Sequence, residues 1–386
     1  DYPEGIEDVF LMVKTGATVL WKRLPVHFGT TFRQVPYFQV YSDMAETAMG
    51  HDVVDVLANV SAATKATGDF GLYRLQLEYE QSRSNIHPQD NPEAFGEMGW
   101  DLDKYKNIPM LAHAYRARPQ ARWFVFMDAD SYFLWYPTMA WLRTLNHREP
   151  LYMGSPVGGW PNRFAHGGSG VIISQAAMEQ TFGRDPKLMY KWEDSTIHDC
   201  CGDHMVAKMF PQAPLPDVYP YSRYRMQGEP HRTVFASRRN WCKPISAFHH
   251  ISPRDIEQIH NYALEFHAEH GPNAQITYSH IYRKFMHPAI EEVKTEWNNW
   301  ASDVEYTMDE KKHNALREPK WETFETCKQA CLDWDNCVAF RHRYDFCGLS
   351  TSVRLGRRAP RVGKDKLDDT KLWRSGFLLD RIHALR

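Results

Sequence analysis

One short stretch, residues 122–134, does most to limit what this chain can fold into. Its five apolar residues from Trp123 to Met127 are too few for a helix and predict a strand buried on both faces, as in a parallel sheet. The strand ends abruptly in two carboxylates, Asp128 and Asp130. Carboxylates held this close together repel each other, and a divalent cation that prefers oxygen ligands would offset the repulsion. The stretch therefore predicts a metal site.

The Asp-x-Asp pattern is weak by itself, because the chain contains it twice more, at 101–103 and 333–335. The copy at 128–130 differs in its surroundings: a buried strand precedes it and the aromatic segment 132–136 follows it. Ligands of open α/β sheets bind at the carboxyl ends of the strands. We therefore predict a functional role for 128–130 in preference to the other two triplets.

Length and charge set the broad class of the protein. With 386 residues, of which 43% are hydrophobic, the chain suffices for one large domain and one small domain. Its 46 basic and 48 acidic residues create no overall field that would attract nucleic acid, so we predict no nucleic-acid partner. No apolar stretch approaches the ~20 residues of a membrane helix. The chain begins at Asp1 without a signal-like segment, and we expect it to be truncated.

Four cysteines cluster near the carboxyl terminus, at positions 327, 331, 337 and 347. This density predicts a small module stapled by disulfides, and hence an oxidising compartment. No pair has the Cys-x2-Cys spacing, which disfavours a zinc site. The sequence leaves all three possible pairings open. The glycosylation triplet 59–61 agrees with passage through the secretory pathway.

Two further cysteines, Cys200 and Cys201, are adjacent in the sequence. Neighbouring cysteines rarely bond to each other. We therefore expect one of them to pair with Cys242 and the other to stay free.

Residues 9–13 and 37–41 are short apolar runs that predict two strands, the first ending at Lys14 and Thr15 and the second at Asp43. In a nucleotide-binding α/β half, such strand ends hold the base, ribose and phosphate, and a carboxylate suits ribose hydroxyls or a base edge. No Gly-x-Gly-x-x-Gly follows the first strand, which disfavours a dinucleotide fold. The alternative that Lys14 and Asp43 are ordinary solvated strand ends stays open.

Residues 103–115 have apolar side chains at helical spacing and lead into the strand at 123–127. Lys104 and Lys106 stand at the start of this predicted helix. A cation there could meet a diphosphate, although a solvated lysine is the more common case.

Three later segments carry further candidate groups. The glycines of 166–170 precede a β-branched strand and suggest that the backbone closely approaches a ligand or another strand. The acids and histidines of 192–208 suit a general base or, alternatively, a Cys/His zinc site. Residues 244–251 predict a strand containing His249 and His250, of which one is expected to face a site. A helix over 253–267 should follow, with Ser252 as its cap.

In this order, these segments resemble the Fringe-like and core 1 galactosyltransferase-like enzymes of glycosyltransferase family 31. The resemblance implies a GT-A fold, an α/β domain whose mixed sheet is flanked by helices and binds a nucleotide sugar. It covers roughly residues 8–270, and we assign residues 1–274 to this domain. Residues 318–386 resemble a PAN/apple module, a small disulfide-stapled α+β unit that usually binds protein or carbohydrate. A helical connector is expected over 275–317.

Carried over to matching positions, the resemblance implies a Mn²⁺ (or Mg²⁺) site with Asp130 as ligand, Asp128 supporting the metal or the ribose, and His249 as a further ligand. The family has an acidic pair at the start of a helix, and its second acid is the base. Here the pair is Gly202 and Asp203, so the base is expected to be Asp203, with Asp199 as a rival.

The remaining binding residues are expected to contact the UDP-sugar donor. They are Lys14, Thr15, Asp43, Lys106, Asp128 and Gly168.

The implied activity is transfer of a hexose, galactose-type favoured, from a UDP-sugar to a hydroxyl of a glycan or glycoprotein, with inversion at the anomeric carbon. The resemblance also implies a type II membrane protein of the Golgi lumen whose anchor is absent from the truncated chain. Galactopyranose, galactofuranose, glucose and N-acetylglucosamine all stay open as the donor sugar.

Two other functional classes are compatible with the same residues. The strand ending at 128–131 also resembles the haloacid-dehalogenase phosphatase signature, in which Asp128 would be the nucleophile. That signature normally follows the first strand of its domain, whereas at least two strands are predicted to precede this one. A non-catalytic carbohydrate-binding protein is the other alternative.

Overall fold

A computed structural model describes residues 2–82, 87–90, 99–158, 163–210, 224–307, 320–360 and 372–385. The chain forms two compact units. The first contains Asp1–Gly228 and Ile245–Gln275, and the second contains Glu229–Pro244 and Ile276–Arg386.

The described strands are β1 Val9–Lys14, β2 Phe38–Ser42, β3 Glu46–Ala48, β4 His51–Asp55, β5 Trp123–Asp128, β6 Tyr132–Phe133, β7 Tyr152–Gly154, β8 Pro156–Val157, β9 Phe164–Ala165, β10 Val171–Ser174, β11 Ala236–Ser237, β12 Ala247–Phe248, β13 Val293–Thr295, β14 Trp297–Asn298, β15 Val304–Thr307, β16 Ala339–Arg343, β17 Phe346–Ser350, β18 Ser352–Val353, β19 Arg357–Arg358 and β20 Arg374–Phe377.

The described α-helices are α1 Leu20–Arg23, α2 Pro25–Gly29, α3 Ala62–Lys65, α4 Gly71–Gln81, α5 Gly99–Ala117, α6 Trp135–Leu142, α7 Gln175–Met178, α8 Leu188–Lys191, α9 Glu193–Ile197, α10 Gly202–Met209, α11 Pro253–His270, α12 Tyr278–Ile281, α13 Phe324–Leu332 and α14 Leu379–His383.

The first unit is built on a seven-stranded sheet with the order β3-β4-β2-β1-β5-β10-β7. Strands β4, β2, β1 and β5 run parallel, whereas β3, β10 and β7 pair in antiparallel fashion. The carboxyl ends of β1, β2 and β5 therefore meet at one edge of the sheet. This mixed sheet with flanking helices confirms the predicted α/β fold class.

The strand at the centre of the prediction, β5, is buried on both faces. Phe124 and Phe126 belong to one hydrophobic cluster, which includes Leu111 of α5. The alternate residues Val125 and Met127 belong to a second cluster on the opposite face. Because both faces are covered, the strand needs a continuous apolar sequence rather than an alternating one.

The helix predicted over 253–267 is α11, and it extends to His270. The side-chain oxygen of Ser252 accepts a hydrogen bond from the backbone N–H of Asp255, as expected for a helix cap. The helix ends where Gly271 takes a positive φ of 87°, which glycine adopts at little cost.

The second unit contains a five-stranded sheet with the order β13-β20-β16-β17-β15. Two of its strands, β13 and β15, come from the segment expected to be a helical connector, and residues 308–317 of that segment lie outside the described residues. The expectation is wrong for 293–307, because β13 pairs with β20 and β15 pairs with β17. Among the described residues of this segment, helical structure occurs in the earlier part, at and just after α12.

Two disulfides staple the second unit, as predicted, and the structure selects one of the three pairings. Cys327 bonds to Cys347, and Cys331 bonds to Cys337. All four cysteines belong to a small hydrophobic cluster that includes Phe340.

The expectation for the other three cysteines is wrong. Cys200 and Cys201 form a disulfide with each other, and Cys242 is exposed and free. Because the thiols of Cys200 and Cys201 are bonded to each other, neither is available to pair with Cys242.

Across the part of the chain that the structure describes, we find no helix with the length and apolar character that membrane crossing requires.

Candidate active site

The carboxyl ends of β1, β2 and β5 contribute to one pocket of about 590 Å³ in the first unit. It is lined by all but one of the site residues predicted from the sequence: Lys14, Thr15, Asp43, Lys106, Asp128, Asp130, Gly168, Asp203 and His249. The exception, Asp199, is not among the described residues that line the pocket.

Lys14 lies between two carboxylates. It stands opposite Asp128 in the register of β1 and β5, and its Nζ is 3.3 Å from Asp128 Oδ1. A shorter ion pair joins it to Asp103 of α5. Burial opposes the charged ammonium, but the two carboxylates outweigh it and raise the pKa of Lys14. Lys14 is therefore a permanent positive charge held in the pocket wall.

Asp103 is a site residue that sequence reasoning missed. It belongs to the triplet 101–103, which had no buried strand before it and was therefore not favoured. The ion pair with Lys14 joins residues 89 positions apart, and no local sequence pattern predicts such a contact. The available signal was its place at the start of the helix that also carries Lys104 and Lys106.

Asp130, His249 and His250 form the group best suited to hold a metal ion. One ligand atom from each lies within 4.8 Å of the others, and His249 Nε2 is 3.5 Å from Asp130 Oδ1. Carboxylate oxygens suit Mn²⁺ and imidazole nitrogens suit divalent transition metals more generally, and His249 Nδ1 is buried without a hydrogen-bond partner among the described residues. The residues therefore fit a divalent cation. The strand predicted over 244–251 is limited to Ala247–Phe248. His249 and His250 follow it, and both line the pocket, rather than one.

Asp130 is also paired with Arg23, whose Nη2 lies 3.3 Å from its Oδ2. Burial favours the neutral acid, but the hydrogen bond with His249 and the charge of Arg23 outweigh it and lower the pKa of Asp130 to about 2. The carboxylate is therefore ionised at physiological pH, as a metal ligand must be. Arg23 lies at the end of the short helix α1, and no pattern in the sequence indicates that it belongs to the site.

The turn that carries Asp128 and Asp130 is supported by His27, which is completely buried. Its Nε2–H donates to the carbonyl oxygen of Ala129 at 3.0 Å, so Nδ1 accepts from the Thr31 hydroxyl at 2.9 Å. Burial lowers the pKa of His27 to about 4, so the ring is neutral at physiological pH. The imidazole thereby fixes the peptide between Asp128 and Asp130.

Asp43 and Lys106 form a buried ion pair of 2.8 Å in the same pocket. Lys106 Nζ also donates to the carbonyl oxygen of Thr15 at 2.9 Å. The other oxygen of Asp43 accepts the backbone N–H of Ala17 at 2.8 Å. Both charges are therefore satisfied within the protein. The structure brings them to the predicted place, where they shape the pocket beside the end of β1.

The glycine segment makes close contact with the candidate metal group. The carbonyl oxygen of Gly168 accepts a hydrogen bond from the Ser131 hydroxyl at 2.6 Å. A side chain at Gly168 would overlap the ring of His249, so the absence of a Cβ makes room for the imidazole. The sequence predicts that the backbone at 166–170 closely approaches a ligand or another strand. In the structure, what it closely approaches at Gly168 is the ring of His249.

Asp203 and Asp199 have different surroundings. Asp203 stands in the first turn of α10, where its Oδ2 accepts the backbone N–H of Gly167 at 2.9 Å. Asp199 pairs with Lys208 at 2.6 Å and with His204 at 2.9 Å. Burial acts in the opposite direction, but these hydrogen bonds lower the pKa of Asp199 to about 2.

The sequence had left a Cys/His zinc site open for this segment. Asp199, Cys200 and His204 are indeed close enough to share an ion. Cys200, however, is bonded to Cys201, and a disulfide sulfur is not the thiolate that zinc prefers. The donor set therefore does not fit a structural zinc ion.

A family model described as Fringe-like matches residues 5–210, more than half of the chain. The match contains β1, β5, the glycine segment and Asp203, whereas His249 and His250 lie beyond it. Among curated proteins, no significant match was found.

Proposed function

The chain belongs to the Fringe-like family of glycosyltransferases, and from this premise we propose that it transfers a hexose from a UDP-sugar to a hydroxyl of a glycan or glycoprotein. The reaction would be a single displacement with inversion, and a galactose-type donor is favoured. The observation that carries the proposal is that one pocket contains both the Asp130 and His249 group and the carboxylate of Asp203.

Asp203 is the proposed base. It takes the proton of the acceptor hydroxyl while that oxygen bonds to the anomeric carbon and the bond from this carbon to UDP breaks. Its carboxylate lines the pocket and is held by Gly167. Asp199 is less suited, because Lys208 and the imidazole of His204 already occupy its oxygens.

Asp130 and His249, with His250 or Asp128, would hold Mn²⁺ or Mg²⁺, which would supply positive charge to the leaving diphosphate. The donor would lie along the ends of β1 and β2, near Thr15, Asp43 and Gly168. The hydrogen bond from His27 to the carbonyl oxygen of Ala129 would keep Asp128 and Asp130 in place.

The phosphatase alternative is disfavoured. Family membership points to glycosyl transfer, and β5 follows four other strands of the chain rather than opening the sheet. Asp128, the nucleophile in that alternative, lies beside Lys14 in a buried ion pair.

The disulfides and the family membership support a location for the protein in the secretory pathway. We further propose that it acts in the Golgi lumen as a type II membrane protein. The PAN/apple resemblance of residues 318–386 supports a second proposal, that this module binds carbohydrate or protein.

The test is release of UDP from a panel of UDP-sugars, with Mn²⁺ and with EDTA, by the wild type, Asp130→Ala and Asp101→Ala. Asp101 belongs to another Asp-x-Asp triplet, is exposed, and serves as the matched control. We expect metal-dependent release from one donor, abolished in Asp130→Ala without loss of fold and retained in Asp101→Ala.

The same experiment separates the alternatives. Phosphate release from an aryl phosphate in the absence of any sugar nucleotide would support the phosphatase. Glycan binding without turnover of any donor would support the carbohydrate-binding protein.

A further inference from the structure

The cations of the pocket differ in how firmly the protein holds them. Lys14 is buried between Asp103 and Asp128, and Lys106 is buried against Asp43. These ammonium groups already neutralise protein carboxylates, so they have little charge to offer a ligand.

Lys104, a third cation of the pocket, is also committed. Its Nζ pairs with Asp69 at 3.0 Å and donates to the carbonyl oxygens of Ile197 at 3.1 Å and Asp199 at 3.4 Å. Its side chain is only 15% exposed. It ties α5 to the segment that precedes α10.

Arg23 is held differently from these lysines. Its side chain is 40% exposed, and its one charged partner among the described residues is Asp130, through a single contact of 3.3 Å. Asp130 is buried, but the guanidinium is partly open to solvent and makes only this one contact, which leaves it able to change partners. The guanidinium carries five N–H donors in a planar fork that matches phosphate oxygens, and most of them have no partner in this contact.

We propose that Arg23 is the mobile cation of the pocket and binds the diphosphate of the donor. In the absence of the donor it pairs with Asp130. Because Asp130 is also a candidate metal ligand, a metal ion and Arg23 compete for the same carboxylate, and binding of the metal frees the guanidinium for the diphosphate. This inference rests on the proposed transferase function, and it assigns the diphosphate contact to Arg23 instead of Lys14 or Lys106.

The experiment compares wild type, Arg23→Ala, Arg23→Lys and Lys22→Ala by calorimetric titration. Lys22 is the neighbouring cation on α1, is exposed and does not line the pocket, so its variant controls for loss of one positive charge. Three probes are used: UDP with Mn²⁺, uridine with Mn²⁺, and Mn²⁺ alone. Melting curves establish that each variant is folded.

For Arg23→Ala we expect UDP affinity to fall roughly 10- to 100-fold, the range typical of a lost hydrogen bond to a charged group. Uridine affinity should not change, because uridine has no phosphate. Mn²⁺ alone should bind more tightly than to wild type, since its competitor for Asp130 is gone. Arg23→Lys should recover part of the UDP affinity, and Lys22→Ala should behave as wild type.

The outcomes are distinguishable. Unchanged UDP affinity in Arg23→Ala, or an equal loss for uridine and UDP, overturns the inference while leaving the transferase proposal intact. Should Arg23→Ala be unfolded, Arg23→Gln is titrated in its place, and UDP affinity equal to that of wild type in this variant would overturn the inference. If the wild type binds no UDP in the presence of Mn²⁺, the proposed function fails and this inference fails with it.

Discussion

At the scale of single residues, Asp203 and Asp199 lie four positions apart and are expected to respond differently to the same change. Asp203→Asn should lower turnover roughly 10²- to 10⁴-fold, the contribution of a general base, with UDP affinity unchanged. The amide oxygen can still accept the Gly167 N–H, so the fold should survive. Steady-state kinetics and UDP titration on the same sample provide the measurement.

Asp199→Asn is the matched control. It removes the charge that pairs with Lys208 and His204, so it should lower the melting temperature and leave turnover within a few-fold of wild type. Because the pKa of Asp199 is about 2 when folded and about 3.9 in an unfolded chain, its stabilisation is present above about pH 4 and is lost as the pH falls towards 2. A larger loss of turnover in this variant than in Asp203→Asn would assign the base to Asp199.

Gly168 is expected to tolerate no side chain. A Cβ there would overlap the ring of His249, and Gly168→Ala should displace this imidazole from Asp130. We expect a roughly 10- to 100-fold loss of Mn²⁺ affinity, the effect typical of disturbing the support of a metal ligand. Gly29→Ala is the control, because a Cβ at Gly29 meets no atom within 4 Å. Equal Mn²⁺ affinity in both variants would show that His249 is not a ligand.

Residue by residue, the sequence indicated which side chains would lie together in one pocket wherever a local pattern accompanied them. Asp128, Asp130 and Gly168 follow or precede buried strands, and strand ends converge at one edge of a sheet. Asp103 and Arg23 have no such pattern. Their relevance comes from contacts with residues 89 or more positions away on other elements, and such contacts exist only after the chain has folded.

At the scale of elements, the turn between β5 and β6 is predicted to depend on α2. His27→Ala leaves the Ala129 carbonyl without its donor and creates a cavity below the turn. Together these effects should lower the free energy of unfolding by roughly 2–4 kcal/mol and weaken Mn²⁺ binding. Chemical denaturation and metal titration provide the two measurements.

Thr31→Val tests whether His27 supports the turn mainly through its hydrogen bond to Ala129 and not through its hydrogen bond with Thr31. It removes the partner of Nδ1 and leaves the Nε2 contact in place. We expect a smaller loss of stability and near-normal Mn²⁺ affinity. If His27→Ala also binds Mn²⁺ normally, the turn is held by other contacts.

Element prediction succeeded where burial imposed a long pattern and failed where it did not. Strands β1 and β5 have six residues each, buried on nearly every position, and α11 begins with a capping serine and a proline. In contrast, β13 and β15 contain three and four residues that are exposed or half-buried. A strand this short shows no clear hydrophobic periodicity. Whether the segment forms a strand therefore depends on the sheet that it joins.

At the scale of the whole molecule, the two disulfides of the second unit should differ in their effect on stability. They close loops of different length, with sequence separations of 20 for Cys327–Cys347 and 6 for Cys331–Cys337. A crosslink restricts the unfolded chain more when its loop is longer. Replacing the first pair by alanine should therefore cost about 3 kcal/mol and replacing the second about 2 kcal/mol.

Hydrogen exchange resolved by peptide is the measurement, because it reports on each unit separately. Protection of β16 and β17 should fall in both double variants, and further in Cys327→Ala/Cys347→Ala. Protection of β1 and β5 serves as the internal control and should not change, since these strands belong to the other compact unit. A greater loss for the Cys331 and Cys337 pair would mean that the small hydrophobic cluster around Phe340, rather than the length of the closed loop, determines what each disulfide contributes.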